Sequence, residues 1–348
     1  MSKDPSKLAL AIEMRAAHWS IHPIVLANAK LPTPAVTFAV SMVTAEGMVH
    51  RSSVAFWAHP AYGKSFCLEV LRNDLPHIFP GCGTFVYEVK PKSDDTESQP
   101  KQKKQKIEWR ENILLADILV EMEYEGHIEH NLPKKRAQVK KALYGIAGPA
   151  RHLFMLLDEA QGLDEDELKI FKTLINYLVK TGIRVTVVLM GQIELLEQRE
   201  KISNDYRSDL DIRFTASMYE LPGIKSAEDL EATLEACDTA SEFPPGSGLT
   251  YTQFLFPEAC SQGFKLRAIA RCMWECFMST SPIRANESGV AMSYIARALS
   301  HYVNLMREND GPHMQVDPAI IAKAVKASGY ATRKAVRSPV SMSKKGTS

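Results

Sequence analysis

No stretch of this chain comes near the ~18 consecutive apolar residues that a bilayer-spanning helix needs. Met1–Pro5 is polar and has no signal-peptide core behind it. These absences lead to the expectation of a cytoplasmic protein with no membrane partner. Cysteine is scarce: Cys67, Cys82, Cys237, Cys260, Cys272 and Cys276 are the only six, and none has C-x-x-C spacing. That argues against a zinc site and for reduced thiols. Cys272 and Cys276, one helical turn apart in an apolar segment, read as core. Net charge is nearly absent too. A value of +1 excludes a globally basic DNA-coating protein and leaves room for local basic patches. No base-reading motif is visible.

What the 348 residues do contain is core enough for one large or two moderate domains. The apolar run Val54-Ala55-Phe56-Trp57 leads into Ala58-His59-Pro60-Ala61-Tyr62-Gly63-Lys64-Ser65, and then into a helix through Phe66, Leu68, Val70 and Leu71. A strand, a tight loop ending in Gly-Lys-Ser and a helix form the context of a phosphate-binding loop. Backbone N–H groups surround the phosphates, the lysine reaches the β- and γ-oxygens, and the serine hydroxyl holds Mg²⁺. Ala58 stands where glycine is usual, which is tolerable if its φ stays negative and the close approach falls on Gly63.

A second motif follows: Leu153 to Leu157, five apolar residues, ending in Asp158-Glu159. Such a run reads as a strand of a parallel sheet, buried on both faces. Two carboxylates at its end are costly unless a metal or a reaction uses them. In a phosphate-loop protein, Asp158 orients Mg²⁺ and Glu159 polarises the attacking water. One amphipathic helix, Glu165–Lys180, with Leu168, Phe171, Leu174, Ile175 and Leu178 on its apolar face, leads to a third buried strand, Arg184–Met190, tipped by Gln192. The unit is a parallel crossover.

Around these lie further expected elements. Thr33-Pro34 starts a helix with Val36, Ala39, Val40 and Val43 on its apolar face. Thr84–Val89 is a strand, and Lys90–Lys106 a polar surface loop. Glu108–Tyr124 is a helix burying Trp109, Ile113, Leu114, Ile118, Leu119 and Met122. Tyr219–Pro222 closes the core. Helices near Ala227–Cys237, Tyr251–Ser261, Lys265–Met278 and Gly289–Leu305 make a small helical domain. Thr332–Ser348 is a basic, partly disordered tail. The expected boundaries are an N-terminal helical extension over 1–45, an ATPase core over 46–225, a helical lid over 226–306 and a tail over 307–348.

The ordering of phosphate loop, Asp-Glu, polar-tipped strand, Arg-Phe and Gly-x-x-x-Arg resembles an AAA+ ATPase, over about Gly47 to His301. Leu157-Asp158-Glu159-Ala160-Gln161 and Met190-Gly191-Gln192-Ile193-Glu194-Leu195 look like transposition regulators of the TnsC/TniB type, more distantly MuB. The same short words occur in secretion-associated ATPases of the ExeA type. The resemblance implies an α/β P-loop AAA+ core, a parallel sheet flanked by helices, with a small C-terminal helical lid. It implies ATP and Mg²⁺ as cofactors, held by residues 58–65 together with Phe66, Asp158 and Arg267, with Ser65 and Asp158 at the metal. Glu159 is then the catalytic carboxylate, Gln192 the first sensor and Arg267 the second. Arg213 is the finger reaching a neighbouring subunit's nucleotide, with Arg207 in reserve. Such proteins form rings or helical filaments on double-stranded DNA without sequence preference, and act with a transposase and a target-selection protein. The candidate DNA contacts are Lys101, Lys103, Lys104 and Lys106, then Lys134, Lys135, Arg136, Lys140 and Lys141. An ExeA-type remodelling ATPase without DNA work, or a nucleotide-stabilised scaffold, is the alternative.

Overall fold

The computed structural model describes residues 5–48, 53–90, 103–204, 210, 214–215, 217–283 and 287–332. Helices α1 (Pro5–His18) and α2 (Pro34–Met48) precede β1 (Ser53–Trp57), α3 (Lys64–Ile78) and β2 (Gly83–Glu88). Then come α4 (Lys103–Glu121), α5 (Leu132–Ile146), β3 (His152–Asp158), α6 (Glu165–Lys180), β4 (Arg184–Gly191), α7 (Glu194–Asn204) and β5 (Met218–Glu220). The remaining elements are helical. Among the described residues no helix is long and apolar enough to cross a membrane.

The chain divides into two compact units. One joins Met1–Thr37, Ala61–Gly63 and Pro222–Ser348, and the other joins Phe38–Pro60 to Lys64–Leu221. The second holds a five-stranded sheet in the order β2-β3-β4-β1-β5, every pair parallel. β3 lies inside the sheet, between β2 and β4, and is buried on both faces, as its unbroken apolar run implies. Leu153, Met155 and Leu157 join the core with Leu115, Ile118, Val139, Leu143, Phe171 and Leu174 of α4, α5 and α6. Phe154 turns to the other side, against Phe79 just after α3. α6 keeps its expected limits because Asp164 and Glu167 close a capping box, with bonds of 2.9 and 2.7 Å. α2 starts where Thr33 Oγ1 accepts from Val36 N at 3.3 Å, and Val36, Ala39 and Val43 are buried.

Several expectations need correction. α4 begins at Lys103, inside the stretch expected to be loop, and Ile113 is 43% exposed. The buried stripe runs through Leu114, Leu115, Ile118 and Leu119, and Ile113 lies one position off it. Tyr251–Ser261 is two short helices, because Pro257 opens a second one after Phe256. The segment from Gly263 enters a 3₁₀ turn over Leu266–Ile269 before a helix over Ala270–Thr280. Among the described residues, three helices were not foreseen: α5, α7 and Pro318–Ala327.

The first unit has its own core, in which Trp19, Ile24 and Leu31 pack with Leu230, Phe254, Phe277, Leu299 and Tyr302. Trp19 Nε1 donates to Asn304 Oδ1 at 3.1 Å, and Ser300 Oγ to Val25 O at 2.6 Å. Arg15 pairs with Asp310 at 3.1 Å.

Candidate functional site

The loop after β1 leaves the sheet in register. Ala58 N donates to Gly191 O at 3.0 Å, prolonging the ladder, and Ala58 is not among the residues of positive φ. An alanine therefore serves there. The unusual backbone falls on Ala61 (φ +68°) and Gly63 (φ +94°). A Cβ at Gly63 would meet nothing within 4 Å, so the glycine answers to conformation and not to space. His59 is buried, which with nearby Lys64 pushes its imidazole pKa down. Tyr62 is buried and donates its hydroxyl to Gly289 O at 2.9 Å. Lys64 opens α3 and is 8% exposed, Ser65 is exposed beside it, and Phe66 is half-buried.

The two carboxylates stand at the C-terminal end of β3. Asp158 is level with Glu88 of β2 and accepts from Glu159 N at 2.8 Å. Burial, and secondarily the charges of Glu159 and Glu88, push its pKa up against the pull of that N–H and of Lys64. Glu159 takes a left-handed backbone (φ +49°, ψ +38°). Its Oε1 lies 3.8 Å from Lys64 Nζ, and its Oε2 accepts from Gln192 Nε2 at 3.0 Å and from Gln161 Nε2. Burial acts to raise its pKa, but the two amide donors and the Lys64 ammonium outweigh it and hold the carboxyl below its ordinary value. Gln161 is the residue that sequence reasoning passed over. Its Oε1 also accepts from Gln192 N at 2.9 Å, so one side chain ties together the Glu159 carboxylate and the tip of β4.

Ser65 and Asp158 line one open groove of about 540 Å³ with Leu68, Glu69, Arg72, Asn73 and Val86. A hydroxyl and a carboxylate, both oxygen donors, suit Mg²⁺, and a half-buried carboxylate with Glu88 and Glu159 near it is placed to gain from a cation. The fit is therefore good.

Other expected site residues lie elsewhere. Arg267 is in the first unit, its Nη1 donating to Glu235 Oε1 at 2.7 Å. Arg207, Arg213 and Lys101 fall outside the described residues, and for Lys103, Lys104 and Lys106 only the helical backbone of α4 is described. The second basic cluster lies on α5. Lys134 pairs with Glu129 at 3.8 Å, and Lys135 is buried with Nζ on Asn112 O at 3.2 Å. Arg136 grips Glu111 through two bonds of 2.5 and 2.6 Å.

Sheet, loop and carboxylates together make an α/β fold with a strand, phosphate-type loop and helix in one unit, and the other unit is helical. No family model and no curated protein matches the chain. Among solved structures, it is similar to Cdc6p from Pyrobaculum aerophilum, at 13% identity and a TM-score of 0.49 over 84% of this chain and 68% of that one. Domain III of the Thermotoga maritima replication initiation protein DnaA gives 12% and 0.44, over 85% and 93%. A Walker-type ATPase of Pyrococcus abyssi gives 10% and 0.39, over 82% and 70%. Identities and scores this low carry no activity, ligand or partner over to this chain.

Proposed function

We propose that this chain binds ATP with Mg²⁺ and hydrolyses it as an AAA+ switch. The observation that carries the reading is the placing of Glu159, 3.8 Å from Lys64 and held on its other oxygen by the Gln192 amide. In this reading Lys64 binds the β- and γ-phosphate oxygens and Ser65 and Asp158 hold the metal, which when bound would draw charge from those oxygens. Glu159, kept ionised by its donors, accepts the proton of the attacking water, while Gln192 orients it. Arg213 completes a neighbouring subunit's site, and Arg267 is the second sensor.

The narrower reading follows the motifs. Subunits assemble with ATP on double-stranded DNA, as a ring or filament, and recruit or license a transposase at a site chosen by a partner protein. Hydrolysis then releases them. Lys64→Ala should abolish ATP binding in a fluorescent-nucleotide titration, and wild-type affinity in that variant would sink the proposal. Glu159→Gln should keep ATP and lose phosphate release. Arg213→Ala and Lys64→Ala subunits, each inactive, should regain part of the turnover when mixed, because each lends the half-site that the other lacks. No recovery at any ratio would mean that the sites are not shared.

A further inference from the structure

We propose that the end of the second unit where β3 and β4 begin is a docking surface for the phosphate backbone of DNA, distinct from the loop after β1. The two halves of α5 differ in what their cations do. Lys134, Lys135 and Arg136 are taken up by Glu129, Asn112 and Glu111 within the fold. On α5 from Lys140 onward, the cations have no carboxylate partner among the described residues. Lys140 Nζ stands 4.4 Å from the centre of the Tyr177 ring on α6. Arg151 Nη2 donates to Tyr144 Oη at 2.9 Å and to Thr181 O at 3.1 Å, which joins the ends of α5 and α6 into one surface. Lys141 and Lys180 are exposed on the same two helices, one turn from Tyr144 and Tyr177 respectively. Among the described residues, none of Lys140, Lys141, Arg151 and Lys180 has a carboxylate partner. The segments 132–152 and 168–184 contain no Asp or Glu at all.

Helix dipoles account for part of this. Lys180 and Arg151 lie at the last carbonyls of α6, where a cation is favoured. Lys140 and Lys141 stand more than a turn before the end of α5 and gain little from its dipole. Tyr144 and Tyr177 are 45% and 38% exposed, large amphipathic rings set between the cations. The centre of a protein–protein interface is depleted of charge and built around apolar anchors, whereas surfaces that meet DNA are strongly positive, with tyrosine hydroxyls among the phosphate donors. This surface has the second composition. It also lies at the opposite end of β3 from Asp158, about 20 Å away at the usual rise per strand residue. ATP and DNA would therefore not compete.

The inference gives a place to the DNA partner of the reading above and rests on it for that partner. It is tested by the anisotropy of the full chain with a labelled random-sequence duplex, and with the same strand unpaired. Both are run over a salt series, with and without ATP. Lys141 and Lys180 hold no side-chain hydrogen bond or ion pair among the described residues, so Lys141→Gln/Lys180→Gln should fold as wild type. The double variant should bind the duplex more weakly, with the slope of log affinity against log salt reduced by about 2, and an unpaired strand as the true ligand would reduce it by about 1.4. Lys134→Gln should change neither. Equal slopes for wild type and double variant overturn the proposal. So does displacement of DNA by polyglutamate at equal charge, which would mark a surface for an acidic protein. DNA binding absent under every condition overturns it as well, while nucleotide titration of the same samples, with Lys64→Ala as control, reports separately on the ATP site.

Discussion

A glutamate in the left-handed region is held against its own preference, at a cost of order 1–3 kcal/mol. Glu159 is such a residue, and the groups that hold it are Lys64, Gln192 and Gln161. Gln161 has the more demanding place, since it serves Glu159 with its amide N–H and Gln192 N with its oxygen. Gly191 makes room for it, because a Cβ there would sit 2.9 Å from Gln161 Oε1 and 3.0 Å from Leu195 Cδ2. Gln161→Ala should therefore lower the turnover number about ten-fold, the cost of a hydrogen bond to a charged group, while nucleotide affinity stays put. Gln161→Glu should be worse, because two carboxylates would then share the contact. Steady-state phosphate release beside nucleotide titration separates this from a folding defect. A parallel fall in affinity and turnover, or no fall at all, would remove Gln161 from the site.

At the scale of elements, the crossover β3–α6–β4 is what aims Asp158 and Gln192, and its stiffness comes from apolar residues packed on both faces of the sheet. Leu156 of β3 is fully buried, so Leu156→Ala should cost about 2–5 kcal/mol and lower the urea midpoint at constant slope. A midpoint unchanged within error would mean that the sheet is not where stability resides. These same elements were the legible ones. An unbroken apolar run and a 3.6-residue stripe are local signals: α6 keeps its expected limits, and β3 and β4 keep theirs to within one residue at either end. α5 was not legible as a helix, because its fully buried apolar positions are few, Val139 and Leu143, and one further buried position is Lys135. Its charges read as a patch, and only the packing shows that the first three cations belong to the fold. Pro318–Ala327 did carry a start signal, Asp317 accepting from Ala319 N at 2.8 Å with proline next, which the basic character of the tail obscured. Gln161 followed the carboxylates without any spacing rule to single it out, since its role depends on where β4 ends.

On the scale of the whole chain, the segment before the sheet and the segment after it build one unit, and the sequence reading had set them apart as an extension and a lid. The joint is aromatic. His22 is fully buried, with the rings of Phe243, Tyr251 and Phe254 at 4.7–4.8 Å, and its Nδ1 accepts from Ile24 N at 3.1 Å. Nothing near it favours a charge, and burial lowers its pKa from 6.5 to about 3. The sign follows from which form the fold prefers. Above the unfolded value both states hold neutral imidazole, and His22 adds no pH dependence. As pH falls below 6.5 the unfolded chain takes up a proton that the folded unit refuses, and stability declines until the folded pKa is reached near 3. At pH 5 the loss should be about 2 kcal/mol, one and a half units at 1.36 kcal/mol each. His22→Asn keeps an acceptor for Ile24 N and cannot titrate. It should be less stable than wild type at pH 7.5 through lost ring packing, but its denaturant midpoint should fall less on going to pH 5. The two curves should converge as the pH drops. Parallel curves across that window would show that the buried imidazole is protonated in the fold or that this joint opens before the unit unfolds, and the N-terminal segment would then be a separable extension after all.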